Sequence, residues 1–121
     1  MANKYTHLCK YRKNKALAAN KIISKEENND WKVVIVYYSA LHLIDSTYAE
    51  NNVHPRKHID RSSLMDKCNQ YTPILDEYSL LEKLSRKARY DSLNIAKKEV
   101  TNALIALDKI EKCLINKTKE A

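Results

Sequence analysis

Five side chains with basic or imidazole groups crowd residues 54–61 of the 121-residue chain. They are His54, Arg56, Lys57, His58 and Arg61. Pro55 favours the first position of a helix, where the partial positive charge of the helix N-terminus disfavours cations. Basic side chains beside the free N–H groups of such an end form an anion site. The segment therefore either contacts a phosphate or polyanion, or its residues cap the helix and pair with acids such as Asp45, Asp60 or Asp66.

A second basic cluster falls on residues 85–91, at the end of a predicted helix. Cations are favourable at a helix C-terminus, which explains part of this pattern. Arg86 and Arg89 are three residues apart and should share a helix face. If the helices carrying the two clusters are antiparallel neighbours, as a short connection implies, the clusters meet in one pocket. The predicted anion-binding residues are His54, Arg56, His58, Arg61, Arg86, Arg89 and Tyr90.

A third polar group lies inside the most apolar stretch of the chain. Tyr38, His42 and Asp45 follow one another at helical spacing and share a face. A histidine–carboxylate pair beside a phenol can support acid–base chemistry. Such groups more often form a hydrogen-bonded network in the core, which is the interpretation we favour.

Metal and cysteine chemistry have little support. His54 and His58 have the spacing of two metal ligands, but zinc needs three or four, and no HExxH pattern is present. Cys9, Cys68 and Cys113 are odd in number, widely spaced and without an adjacent base, which suits a reducing cytoplasm. We therefore expect no metal and no cofactor.

The composition limits the possible folds and ligands. The chain has no glycine, which excludes the Walker loop and the Rossmann fingerprint. Its formal net charge of +7 permits an anionic partner but is equally consistent with a lysine-rich surface. The N-terminus lacks the apolar segment of a signal peptide, and no apolar run reaches the length of a membrane span. We expect a cytoplasmic protein without membrane contact.

These polar groups must be positioned by a bundle built around residues 31–45. Residues 33–44 carry no charge, in a chain that is 31% charged, so this segment must leave water. Its length favours a helix with Asp30 as N-cap, lying centrally in a bundle or shared with a partner subunit. Periodicity and breaks predict helices over residues 6–27, 31–51, 55–68, 74–88 and 97–116, with Pro55 and Pro73 as first helical residues. The sequence predicts a single all-α domain over residues 1–121.

Together these segments resemble the HEPN superfamily. The likeness rests on Trp31 to Ile44, read as W-x-V-x-x-x-Y-Y-S-A-L-H-L-I, on the histidines and Arg61 of residues 54–61, and on residues 78–90. It implies an up-and-down bundle of four main helices plus a short extra helix, commonly dimeric. Members include metal-independent endoribonucleases of toxin–antitoxin and defence systems, and non-catalytic RNA- or nucleotide-binding modules.

The catalytic members carry an arginine shortly followed by a histidine. Arg89 supplies the arginine, but Asn94 stands where the histidine is expected, and no histidine follows Arg89. An amide is neither a general acid nor a general base near neutral pH, which argues against cleavage. If cleavage occurs, Arg89 and His58 are the predicted catalytic residues.

Three functions therefore compete. The first is a non-catalytic module that binds RNA or nucleotide phosphate, within a toxin–antitoxin or defence system. The second is a metal-independent endoribonuclease toxin. The third is a homodimeric protein that regulates a partner such as a nucleotidyltransferase. The missing histidine places the second below the other two.

Overall fold

The structure is a computed structural model that describes residues 3–50, 52–55, 58–67, 69–90 and 94–120, and the backbone alone of residues 58, 59, 62, 66, 67, 69 and 116–120. The described residues form five α-helices and no strand, which confirms the predicted all-α class. Two short 3₁₀ helices, Glu26–Asn28 and Asn69–Ile74, precede α2 and α4. The α-helices are α1 (Lys4–Ala18), α2 (Asn29–Ala49), α3 (His58–Lys67), α4 (Leu75–Tyr90) and α5 (Lys97–Glu120).

The four longer helices run alternately up and down. Lys4, at the start of α1, pairs with Glu50, which directly follows α2. Lys87, near the end of α4, pairs with Glu99, near the start of α5, at 2.9 Å between Nζ and Oε2. Each pair joins the start of one helix to the end of its neighbour, so the two helices are antiparallel. Short connections between helices favour this arrangement. The predicted bundle of four main helices with one shorter helix, α3, is confirmed.

The apolar stretch forms the central helix of this bundle. α1, α4 and α5 pack against α2, and Val36, Tyr37 and Ile44 are fully buried. Removing one such side chain from water stabilises the fold by about 1.5–3 kcal/mol, which explains the lack of charge along this helix. Of the two predicted roles for this helix, the central position within one chain is therefore realised. Trp31 is an exception in its first turn, since it is 61% exposed.

α1 ends at Ala18, so the predicted helix as far as residue 27 is wrong. Beyond this point side-chain hydrogen bonds interrupt the helical pattern of backbone hydrogen bonds. The Ile22 backbone N–H donates to Asn20 Oδ1, and the Asn28 side-chain amide donates to the Ile22 carbonyl oxygen. Asparagine competes with helical hydrogen bonds in this way. Ile22 matches the helical period but is 64% exposed, so no burial holds this segment in a helix.

Both prolines precede α-helices but do not start them. Pro55 lies in an irregular segment, and α3 begins at His58. Pro73 lies in a 3₁₀ helix, and α4 begins at Leu75. Proline lacks the backbone N–H of a helical bond, so the break before each helix is correctly predicted while the exact start is not. Ile59 and Cys68, which helical spacing within residues 55–68 predicts to face inward, lie outside the described side chains.

In the described part of the chain, none of the helices combines the length and the apolarity that crossing a bilayer requires.

Candidate functional site

Arg61 is buried and bound to Asp45. Its Nε and Nη2 atoms donate to the two Asp45 carboxylate oxygens at 2.7 and 2.8 Å, and both side chains are 5% exposed. Burial acts to lower the pKa of Arg61, but the hydrogen bonds and charge of Asp45 outweigh it and raise that pKa. The guanidinium therefore stays charged, and this geometry does not present it to a phosphate. Pairing with an acid, the alternative interpretation of this cluster, is confirmed for Arg61.

Two tyrosines extend this buried pair toward α4. Arg61 also forms a side-chain hydrogen bond with Tyr78, and the Tyr78 hydroxyl lies 3.3 Å from the Tyr37 hydroxyl. Burial raises the pKa of both phenols, so they remain neutral hydrogen-bonding groups. The network joins α2, α3 and α4 and fixes how α3 sits on the bundle.

The rest of the first basic cluster is described only in part. His54 is half-buried, and its Nδ1 atom is buried without a hydrogen-bond partner among the described residues. Arg56 and the side chain of His58 lie outside the described residues. Their contact with an anion stays a prediction.

Arg89 is fixed by Tyr38, in the middle of α2, and by Ser85 and Tyr90 of its own helix. Its Nη1 donates to the Tyr38 hydroxyl at 3.1 Å, and its Nε donates to the Ser85 carbonyl at 3.3 Å. The guanidinium carbon lies 5.0 Å from the ring centroid of Tyr90 and 5.8 Å from that of Tyr38. These distances are within the range of cation–π contact. Tyr90 is 69% exposed, so Arg89 and Tyr90 together form a surface feature.

Arg86 faces a different neighbour from Arg89. Its Nη2 atom pairs with Glu82 one turn earlier, and it lines a groove beside α5 together with Lys83 and Lys87. Arg89 instead faces α2. The predicted shared face of Arg86 and Arg89 is therefore replaced by two adjacent faces of α4.

Of the described side chains, Arg61 of the first predicted cluster and Arg89 of the second do not meet in one pocket. Arg61 reaches α4 at Tyr78, in the first turns of that helix. Arg89 lies eleven residues further on, which is about 16 Å along a helix. The physical reason is the Asp45–Arg61 pair, which places α3 over the C-terminal half of α2. Because α2 and α4 are antiparallel, that half faces the start of α4 rather than its end.

The predicted polar row on α2 is present, but each member bonds to a different helix. Tyr38 accepts from Arg89 of α4, and Asp45 accepts from Arg61 of α3. His42 meets His7 of α1, with their Nδ1 atoms 3.1 Å apart. The row therefore connects helices across the bundle, as a core network does.

Carboxylates lie close to Arg89. A cavity of about 220 Å³ is lined by Asp30, Trp31, Val34, Ala88 and Arg89. It adjoins a second cavity, of about 410 Å³, whose lining includes Glu26, Glu27 and Asn94. Asn94, at the position of the expected histidine, thus faces carboxylates.

Two residues that contact the predicted polar groups were not singled out from the sequence, His7 beside His42 and Trp31 beside Arg89. His7 lies in a helix with no local signal of a partner, because its contact is with His42, 35 positions away. Trp31 was assigned to the buried stretch. Its place at the edge of that stretch, next to charged Asp30 and Lys32, is the signal that could have indicated exposure.

No metal centre emerges from the described side chains, since no three of their histidine, cysteine and acidic groups converge as metal ligands.

The comparisons with known proteins identify a family. The family model described as HEPN domain matches residues 9–117. No curated protein and no solved structure matches the chain. Because the family match covers most of the chain and reaches all five α-helices, this chain belongs to the HEPN domain family.

Proposed function

We propose that this chain is a non-catalytic module that binds RNA or a nucleotide at the end of α4. The observation that carries the proposal is the Arg89–Tyr90 pair. A guanidinium fixed by Tyr38 and Ser85 stacks on a phenol ring that is itself 69% exposed. An ordered cation beside an exposed aromatic face is the combination that binds phosphate and stacks a base.

Arg89 retains donor capacity for such a ligand. Its two hydrogen bonds to described residues use Nε and Nη1, which leaves Nη2 for a phosphate oxygen. Because those bonds already fix the side chain, binding costs little further rotamer entropy. Arg86 supplies a second cation on the adjacent face of the same helix.

The proposal divides the predicted residues into two roles. Arg86, Arg89 and Tyr90 are proposed to touch the ligand. Arg61 is proposed to hold α3 on α2 through Asp45, because its side chain is buried. For His54, Arg56 and His58, contact with a longer RNA stays a prediction.

Binding is tested with a fluorescently labelled single-stranded RNA and the variant Arg89→Ala. We expect the affinity of the unmodified protein to fall as salt rises, because phosphate contacts release counterions. Arg89→Ala should weaken binding by about tenfold, within the range of about 1–3 kcal/mol for a well-placed arginine contact. Fluorescence anisotropy over a salt series measures both effects.

The matched control is Arg12→Ala. Arg12 is an exposed arginine of α1, so its removal lowers the net charge by the same amount at another place. We expect Arg12→Ala to bind within about twofold of the unmodified protein, since diffuse charge contributes weakly at physiological salt. Equal losses of RNA affinity in the two variants would show that binding is non-specific electrostatic attraction and would contradict a site at Arg89. No RNA or nucleotide binding at low salt would refute it.

Cleavage is tested by incubating RNA with the protein in a chelator. We expect intact RNA, because Asn94 offers no proton-transfer group near neutral pH. Metal-independent cleavage that Arg89→Ala or His58→Ala abolishes would establish the alternative, an endoribonuclease, and overturn the non-catalytic assignment.

A further inference from the structure

Two imidazoles share one proton where α1 meets α2. The Nδ1 atoms of His7 and His42 are 3.1 Å apart, and the ring centroids are 5.3 Å apart. One neutral imidazole can donate through Nδ1 only if the other accepts through Nδ1. Protonating both rings would turn two donors toward each other and place two positive charges at hydrogen-bond distance. The hydrogen bond therefore exists only while a single proton lies between the two Nδ1 atoms.

Among the described residues around this pair, positively charged groups outnumber acids. Lys10 of α1 and Arg61 of α3 act on the pair as cations, and His54 acts on His7 in the same direction. Asp45 is the acid that acts on both rings, but its two oxygens are occupied by Arg61. Burial, followed by the charge of His7, lowers the pKa of His42 to about 4. Burial is also the main cause that lowers the pKa of His7.

α1 buries fewer of its described side chains than the other long helices do. Of its described residues, Tyr11 and Ala18 are buried. The remaining attachments include two ion pairs, Lys4 with Glu50 and Lys15 with Glu111. A helix with few buried apolar side chains is among the first parts of a fold to open locally.

We propose that the His7–His42 contact is an acid-sensitive latch that holds α1 on the bundle and releases it on acidification. Histidines whose folded pKa is depressed contribute stability that is complete above the unfolded pKa of about 6.5 and is lost as the pH falls toward the folded pKa. Release is therefore expected between about pH 6.5 and pH 4. The latch needs no ligand and does not depend on the proposed RNA binding.

The test is amide hydrogen exchange at pH 7.5 and pH 5.0, corrected for the pH dependence of intrinsic exchange. In the unmodified protein, the protection of α1 amides should fall by about tenfold more than that of α5 amides, since one pKa unit corresponds to a tenfold change. In the double variant His7→Gln, His42→Gln, which has no imidazole at this contact, the protection of α1 should change no more than that of α5.

Two further variants separate the latch from other causes. The single variant His7→Gln leaves His42 in place and tests the proposal even if the double variant folds poorly. Its acid-induced loss of α1 amide protection should be smaller than that of the unmodified protein. Glu111→Gln removes the carboxylate that binds Tyr11 and Lys15, and it should keep the full acid-induced loss in α1. A double variant that loses α1 protection as the unmodified protein does would overturn the proposal. Equal losses in α1 and α5 of the unmodified protein would overturn it as well.

Discussion

Arg61 illustrates how one sequence context can allow two opposite interpretations of a side chain, of which the structure realises one. Its neighbours His54, Arg56 and His58 suggest an anion site, yet its partner is Asp45, sixteen positions earlier. The sequence indicates that Asp45 is available, since it lies on the polar face of an apolar helix. It cannot indicate that α3 crosses α2 at that turn. Pairing of Arg61 with Asp45 could therefore be predicted as one alternative, but the sequence could not decide between this pairing and contact with an anion.

Removing Arg61 should destabilise the protein strongly. Arg61→Ala leaves the Asp45 carboxylate buried without its counter-ion, which typically costs about 3–5 kcal/mol. The matched control is Arg86→Ala, which breaks an exposed pair with Glu82 and should cost about 1 kcal/mol or less. Urea denaturation followed by circular dichroism measures both. Equal costs would show that the buried pair does not hold α3 in place.

At the scale of the element, α4 shows how far periodicity alone can go. The helical spacing predicts that Ile74, Tyr78, Leu81, Leu84 and Ala88 face inward. The first four are buried and Ala88 is partly buried, because a helix with one apolar face has one way to bury that face. The predicted end of α1 fails for the opposite reason. Apolar spacing continues past Ala18 in the sequence, but no neighbour covers Ile22, so side-chain hydrogen bonds of asparagines decide the local structure.

Adjacent leucines of α4 provide the test of this element. Leu81 is fully buried, whereas Leu80 is 36% exposed. Leu81→Ala should lower the free energy of unfolding by about 2–5 kcal/mol, the range for a large-to-small change in a core. Leu80→Ala should change it by about 0.5 kcal/mol or less, as surface substitutions usually do. Similar losses for both variants, measured by urea denaturation, would contradict the packing of α4 described above.

At the scale of the whole molecule, the fold could be predicted from the sequence. The positions of Arg61 and Arg89 relative to each other could not. Absence of glycine, a central apolar stretch and breaks before each helix suffice to predict an all-α bundle, and the resemblance to the HEPN superfamily implies its up-and-down order. The depth at which α3 sits along α2 and α4 depends on the contacts of Asp45 and Tyr78 with Arg61, which no local pattern reveals. That register separates Arg61 from Arg89 and confines the proposed binding surface to the end of α4. The homodimer implied by the family resemblance stays a prediction.

Chemical-shift mapping of a short single-stranded RNA on the isotope-labelled protein tests this assignment most directly. The end of α4 should respond first, with the largest amide shifts at Arg86, Arg89 and Tyr90 and smaller shifts at Trp31. The buried Asp45–Arg61 region and the outer face of α1 should remain near their unbound positions. Shifts that concentrate on α1, or that spread evenly over the lysine-rich surface, would contradict a binding site at Arg89 and Tyr90.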